Sequence, residues 1–183
     1  MGERREWLRT SIAGEHSKLD FRFGNISSHE DYRDYLLFTA RFRQSVEGWL
    51  QEAAAADPDV TRLAIWPFVE RDCGDLGLYP RPPDIILDVE PSSSAVLGVT
   101  YVLQGACLGA YPLWRVARRL GLGGDRGARH LERQVQTAGR WPAFLVELET
   151  DPIVDMRVMV RAAQAVMALA RQALEAERNG TTR

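Results

Sequence analysis

His16 and the glycine pair Gly105 and Gly109 are the residues of this chain best placed to do chemistry. His16 follows Leu8 and Ile12 at helical spacing, and a neutral imidazole beside an apolar face can ligate an iron through one ring nitrogen. The competing reading is a solvated or hydrogen-bonded histidine, and residue type alone does not separate the two. His29 reads as solvated surface in the first turn of its helix, and His130, in Gly127-Ala-Arg-His-Leu, as a structural hydrogen-bonding residue. Neither stands at metal-ligand spacing from another His, Cys or carboxylate. Cys73 and Cys107 form no Cys-x-x-Cys pair and read as buried thiols. Gly105 and Gly109 lie four apart, so on a helix they leave one bare strip of backbone. That strip admits a second helix packed close, the commoner use, or a flat apolar ligand. Lys18 is the only lysine, so an anion site here rests largely on guanidinium groups.

The glycines lie inside residues 91–114, twenty-four residues without one charge. So neutral a run is either a membrane span or a helix buried on nearly all sides. Ser92, Ser93, Ser94, Thr100, Gln104 and Pro112 dilute its apolar residues, and every other segment alternates charged and apolar positions, which favours the buried helix. Pro112 removes a backbone donor and clashes with the Leu108 carbonyl, so a bend is expected next to Gly109.

The elements that must position these groups are helical. Tyr35, Phe38, Phe42, Val46 and Trp49 recur at steps of three and four over residues 28–56, with Arg33, Arg41, Arg43 and Glu47 between them; Ser28 and Asp31 supply an N-cap and Asp57-Pro58 a stop. Residues 151–177 keep the same period for about six turns, with Asp151-Pro152 as the expected opening. Residues 4–19 read as a first helix, 60–78 as a shorter one broken near Pro67 and Gly74, 79–91 as a proline-rich loop, and 121–127 as a turn before short helices at 128–135 and 141–149. No period-two alternation bounded by hairpin turns appears. The expected fold is all-α, six to eight helices around the neutral one, in a single domain over 1–183 with a disordered tail at about 178–183. Net charge is −2 with 26% charged residues, which gives nucleic acid no general attraction. The charged start of the chain shows no apolar leader, so a cytoplasmic protein is expected, without a membrane.

The ordered set of Leu8-Arg-x6-His16-x2-Leu19-Asp20, Tyr32-x2-Tyr35-Leu, Gly98-Val-x-Tyr101-Val-Leu-x-Gly105-x2-Leu-Gly109-Ala, Gly127-Ala-Arg-His-Leu and Trp141-x2-Phe144 resembles the bacterial heme oxygenases, in particular the biliverdin-forming kind that supplies bacteriophytochromes. Each motif is weak alone; their order and spacing across most of the chain carry the resemblance. It implies a heme oxygenase-like fold with heme between the first helix and a kinked glycine helix. His16 is then the proximal iron ligand, and the backbone from Gly105 to Gly109 lies over the distal face. Arg9 and Arg22, with Lys18 and Arg140, become candidates to meet the heme propionates, Tyr101 a cofactor contact, and Gly105, Gly109 and Gln104 the catalytic wall. The implied reaction yields biliverdin, carbon monoxide and ferrous iron, with electrons from a ferredoxin or flavin reductase. Arg115, Arg118, Arg119, Arg126 and Arg129 form the densest basic region for an acidic donor.

The chain departs from that pattern where bacterial relatives carry Glu-Gly-Ser and it has Gln104-Gly105-Ala106. Ala106 offers no side-chain hydrogen bond to order water. Cys107 stands where some relatives have lysine. The alternative implied function is therefore a non-catalytic relative, a heme-binding, sensory or interaction module, for example one that regulates a signalling kinase as its protein partner.

Overall fold

Ser28 and Asp31 start the helix that forms one wall of the site. The Ser28 hydroxyl accepts from Asp31 N at 3.1 Å, and the Asp31 carboxylate accepts from Ser28 N at 2.9 Å. This reciprocal box satisfies donors that a helix start leaves open. Bonds from Ser27 N and then from Ser28 hold the Asp31 carboxyl at about 2. A depressed folded value stabilises the fold above the unfolded carboxylate pKa and is lost as pH falls through the folded one. The Ser27 and Ser28 amides should accordingly lose exchange protection between pH about 4 and about 2; full protection retained at pH 2 would contradict this.

The computed structural model describes residues 2–23, 25–82 and 85–180, with side chains at 18–22 and 177–180 outside the description. Its order is α1 (Glu3–Phe23), α2 (His29–Ala53), a 3₁₀ turn (Pro58–Leu63), α3 (Trp66–Asp75), α4 (Ser93–Arg119), α5 (Arg129–Thr137), a second 3₁₀ turn (Ala138–Arg140), α6 (Trp141–Thr150) and α7 (Met156–Gly180). No strand occurs among the described residues, so the all-α expectation holds.

The neutral run is the core helix. Residues 94–101 are all buried. Helix α4 is the one helix among the described residues long and apolar enough to cross a membrane, and here neighbouring helices cover its first half. At Gly98 an added Cβ would stand 2.1 Å from the Met159 carbonyl oxygen and 3.1 Å from the Ala162 Cβ, so the missing side chain is what lets α4 and α7 approach. The hydrogen-bonded helix continues past Pro112, which is exposed, to Arg119. The first helix closes this side of the core through wholly buried Leu8, which shares a cluster with Leu148 of α6 and Met159 of α7. Arg4 Nη1 ties it down by donating to the carbonyls of Leu148 (2.9 Å) and Asp151 (2.8 Å).

Several boundaries differ from the periodic reading. The segment expected as one broken helix at 60–78 is a 3₁₀ turn followed by α3, and Pro67 sits in the first turn of α3, where its missing N–H costs nothing. Helix α7 opens at Met156 and not at Asp151-Pro152: Asp155 Oδ1 accepts from Arg157 N (2.8 Å) and Val158 N (3.1 Å), which is the capping role. Asp151 instead takes the Ile153 N–H at 2.9 Å in the preceding turn. The backbone of α7 stays helical to Gly180, and residues 181–183 of the expected tail lie outside the described residues.

Helices α3 and α5 are joined by a buried charge network. Asp72, wholly buried, accepts from His130 N (2.9 Å), His130 Nδ1 (2.8 Å) and Arg129 Nη1 (3.1 Å), while Arg129 also pairs with Asp75. His130 is thus the structural hydrogen-bonding residue expected of it, with Nδ1 as the protonated nitrogen facing the carboxylate. Its Nε2 has no hydrogen-bond partner among the described residues. Asp72→Asn leaves one of these donors facing an amide NH₂, and urea denaturation should show a loss of about 2 kcal/mol. A change below about 0.5 kcal/mol would show that the network does not hold α3 to α5.

Candidate functional site

A cavity of about 890 Å³ opens between α1, α2 and α4, within the ~300–1,000 Å³ typical of ligand pockets. Its walls are mostly apolar: Ile12 from α1, Phe38 and Phe42 from α2, Leu113 from α4, and Met167 and Ala170 from α7. Amphipathic periodicity places these residues inward, and helix crossings leave the gap between them.

Five of the sequence-derived site residues, Arg9 among them, meet on this cavity. His16 lines it from α1, and Tyr101, Gly105 and Gly109 line it from α4. His16 itself is solvent-exposed, which places it at an open part of the wall. At Gly109 an added Cβ would meet nothing within 4 Å; at Gly105 it would meet only the edge of the Trp141 ring, at 3.9 Å. The commoner use of such a glycine pair, close helix packing, therefore does not apply here. That role belongs to Gly98, seven residues before Gly105; Gly109 faces open space, and Gly105 faces the cavity beside the Trp141 ring.

Arg9 lies on the wall with its guanidinium half exposed and bonded to the Glu6 carboxylate, Nε to Oε2 at 3.1 Å. That pairing lowers the Glu6 carboxyl and raises the Arg9 guanidinium from their ordinary values. Tyr101 is buried beside Trp141, ring centroids 5.3 Å apart; burial raises its hydroxyl pKa, and Arg5 and Arg9 work against that rise.

Two expected residues, Gln104 and Arg140, are not brought to the wall. Gln104 is turned from the cavity, and its Oε1 is buried without a hydrogen-bond partner among the described residues. Arg140 is exposed and off the cavity wall. Arg22, like Lys18, falls on side chains outside the described residues. Ala106 does line the cavity, so the departure at that position bears directly on the site. Of the five clustered arginines, Arg115, Arg118, Arg119 and Arg126 are exposed. Arg129 is not available to a partner, because Asp72 and Asp75 hold it.

Sequence reasoning missed the polar side of this cavity. Tyr35, Thr39 and Arg43 line it from α2 and Gln134 from α5. Arg43 reads in sequence as part of the solvated stripe of α2, yet it is only 3% exposed. Its guanidinium pairs with Glu47 at 3.1 Å and donates to the Leu63 carbonyl. Burial lowers the Arg43 guanidinium pKa and Glu47 opposes that. The signal available in sequence was the Arg43/Glu47 spacing of four, which permits an ion pair but does not reveal its burial. Burial pushes the Tyr35 hydroxyl up to about 12, so it acts there only as a neutral hydroxyl.

With the cavity, His16 on its wall and the open glycine backbone in place, a solved structure can be compared over nearly the whole chain. The NO- and CO-bound heme oxygenase of Neisseria meningitidis matches 95% of this chain and 91% of its own, with a TM-score of 0.72 and 22% sequence identity. This chain has the heme oxygenase-like fold. No protein-family model and no curated protein matches the sequence. Among its described residues no three of His, Cys, Asp and Glu gather as ligands for a bare metal ion.

Proposed function

We propose that this protein binds heme through His16 and opens it oxidatively to biliverdin, carbon monoxide and ferrous iron. The observation that carries the reading is the cavity itself, which has His16 on one wall and side-chain-free backbone at Gly109 on another. These residues fit the group: a macrocycle supplies four of the iron's ligands, so one imidazole completes the proximal side. Bound heme supplies an iron that binds dioxygen and a porphyrin edge that can be oxidised.

The chain's own residues have separate tasks. His16 orients the macrocycle. Gly105 and Gly109 allow backbone to lie against its other face, and no β-carbon holds that face away. Phe38, Phe42 and Met167 exclude bulk water. Arg9, at the open edge, offers a cation for a carboxylate, with Glu6 as the competitor it must leave. The exposed arginines Arg115, Arg118, Arg119 and Arg126 suit an acidic electron donor such as a ferredoxin or flavin reductase.

A second reading, a heme-binding module without turnover, is favoured by Ala106 on the cavity wall and Gln104 turned off it. The hemin complex, reduced under oxygen, separates the two. Loss of the Soret band with gain of biliverdin absorption is expected; a stable complex would select the second reading. In the oxygenase, Ala106→Ser, which puts a hydroxyl on the cavity wall, should raise the turnover rate by several-fold, about 1 kcal/mol of barrier.

A further inference from the structure

A second, much smaller cavity shares part of the first one's lining; Arg43, Arg62, Gln134 and Thr137 are its polar residues, and Leu63 and Ile65 are among its apolar ones. Its volume is about 10 Å³, close to the ~10–15 Å³ that one water needs. Two residues, Arg43 and Gln134, line both cavities. They form a shared polar partition between the apolar site and a water-sized space. Arg62 on the far side is exposed at the surface.

We infer that Arg43 and Gln134 form a polar side door that admits water from the surface beside Arg62 to the deep end of the main cavity. The inference rests on the heme-binding reading above, since a large ligand in the mouth is what makes a second entrance useful. The Arg43 guanidinium and the Gln134 amide are both hydrogen-bonding groups, so a water crossing between them exchanges one partner for another and is never stripped bare. The Arg43–Glu47 pair is neutral as a unit, and the door therefore suits water in preference to an anion. Thr39 and Tyr35 continue the polar line along α2 into the cavity. Water delivered there reaches a site where Ala106 can order none.

Solvent exchange of the Arg43 Nε proton, followed by NMR on ¹⁵N-labelled protein with and without zinc protoporphyrin, tests this. Filling the cavity should leave the rate within about two-fold, whereas Thr137→Trp, which plugs the small cavity from outside, should slow it about ten-fold in the filled protein. Gln134→Leu should slow it in the same sense with little change in melting temperature, a result that a merely structural Arg43 would not give. If filling alone stops the exchange, or if the plug leaves the filled protein unchanged, water enters by the mouth and the side door is wrong. Failure of zinc protoporphyrin to bind would count against the heme reading alone. The plug must then still slow exchange by about two-fold in the protein by itself, and no slowing overturns the proposal.

Discussion

His16→Ala weakens hemin binding by about 100-fold, equivalent to ~2.7 kcal/mol, and shifts the Soret band of whatever complex remains. The size follows from what is removed. The cavity is otherwise apolar where the macrocycle would lie, so hydrophobic contact survives the substitution and the iron bond does not. His29 gives the control, because it lies in the first turn of α2 and does not line the cavity; His29→Ala should leave the titration unchanged. Added imidazole should restore much of the wild-type spectrum in His16→Ala by occupying the space the side chain leaves. An unchanged spectrum in His16→Ala would remove the proximal-ligand assignment and with it the proposed function.

The same substitution at two glycines of α4 has opposite effects. Gly98→Ala costs about 3 kcal/mol, at the upper end for an overpacked core, because its new methyl would lie 2.1 Å from the Met159 carbonyl oxygen and backbone cannot turn aside as a flexible side chain can. Gly109→Ala stabilises by up to ~1 kcal/mol, the helix-propensity difference between the two residues, since nothing stands within 4 Å of its new Cβ. Urea denaturation measures both. Enlarging Gly109 further, to leucine, should keep the fold and reduce hemin affinity about ten-fold or more, as the side chain enters the cavity. If Gly109→Ala destabilises as much as Gly98→Ala, the Gly105–Gly109 strip is a packing surface and not the wall of a ligand site.

These two glycines show how far a sequence reads. Spacing identifies Gly105 and Gly109 as a pair on one face, but it cannot say whether a helix or a cavity lies opposite. Gly98, which carries the close packing, lies one heptad before Gly105 and so on nearly the same helical face, and spacing does not separate its role from that of the pair. The capping box at Ser28 and Asp31 was legible because both partners sit within one turn. The cap of α7 was not, since Asp151-Pro152 and Asp155 look equally suitable locally. What separates them is Ser94 Oγ of α4, which accepts from Asp155 N at 2.9 Å and anchors the start there. Arg43 and Arg129 belong to the same class of error. An arginine between apolar positions is assigned to solvent by its charge, and only partners distant in sequence, Leu63 for the one and Asp72 with Asp75 for the other, make it a buried tie.

Period, neutrality and motif order thus sufficed for the all-α class, the central helix, the first-helix histidine and the likeness to heme oxygenases, because each depends on residues within a few turns of one another or on their order along the chain. Packing alone decided that His16 and Gly109 border one cavity, that Gly98 and not the glycine pair meets α7, that Gln104 and Arg140 stand off the wall, and that Arg43 and Gln134 separate two cavities. The reason is physical: a helix's own period determines which of its faces is apolar, whereas the neighbour that covers that face, or leaves it open to a ligand, is set by contacts between segments far apart in sequence.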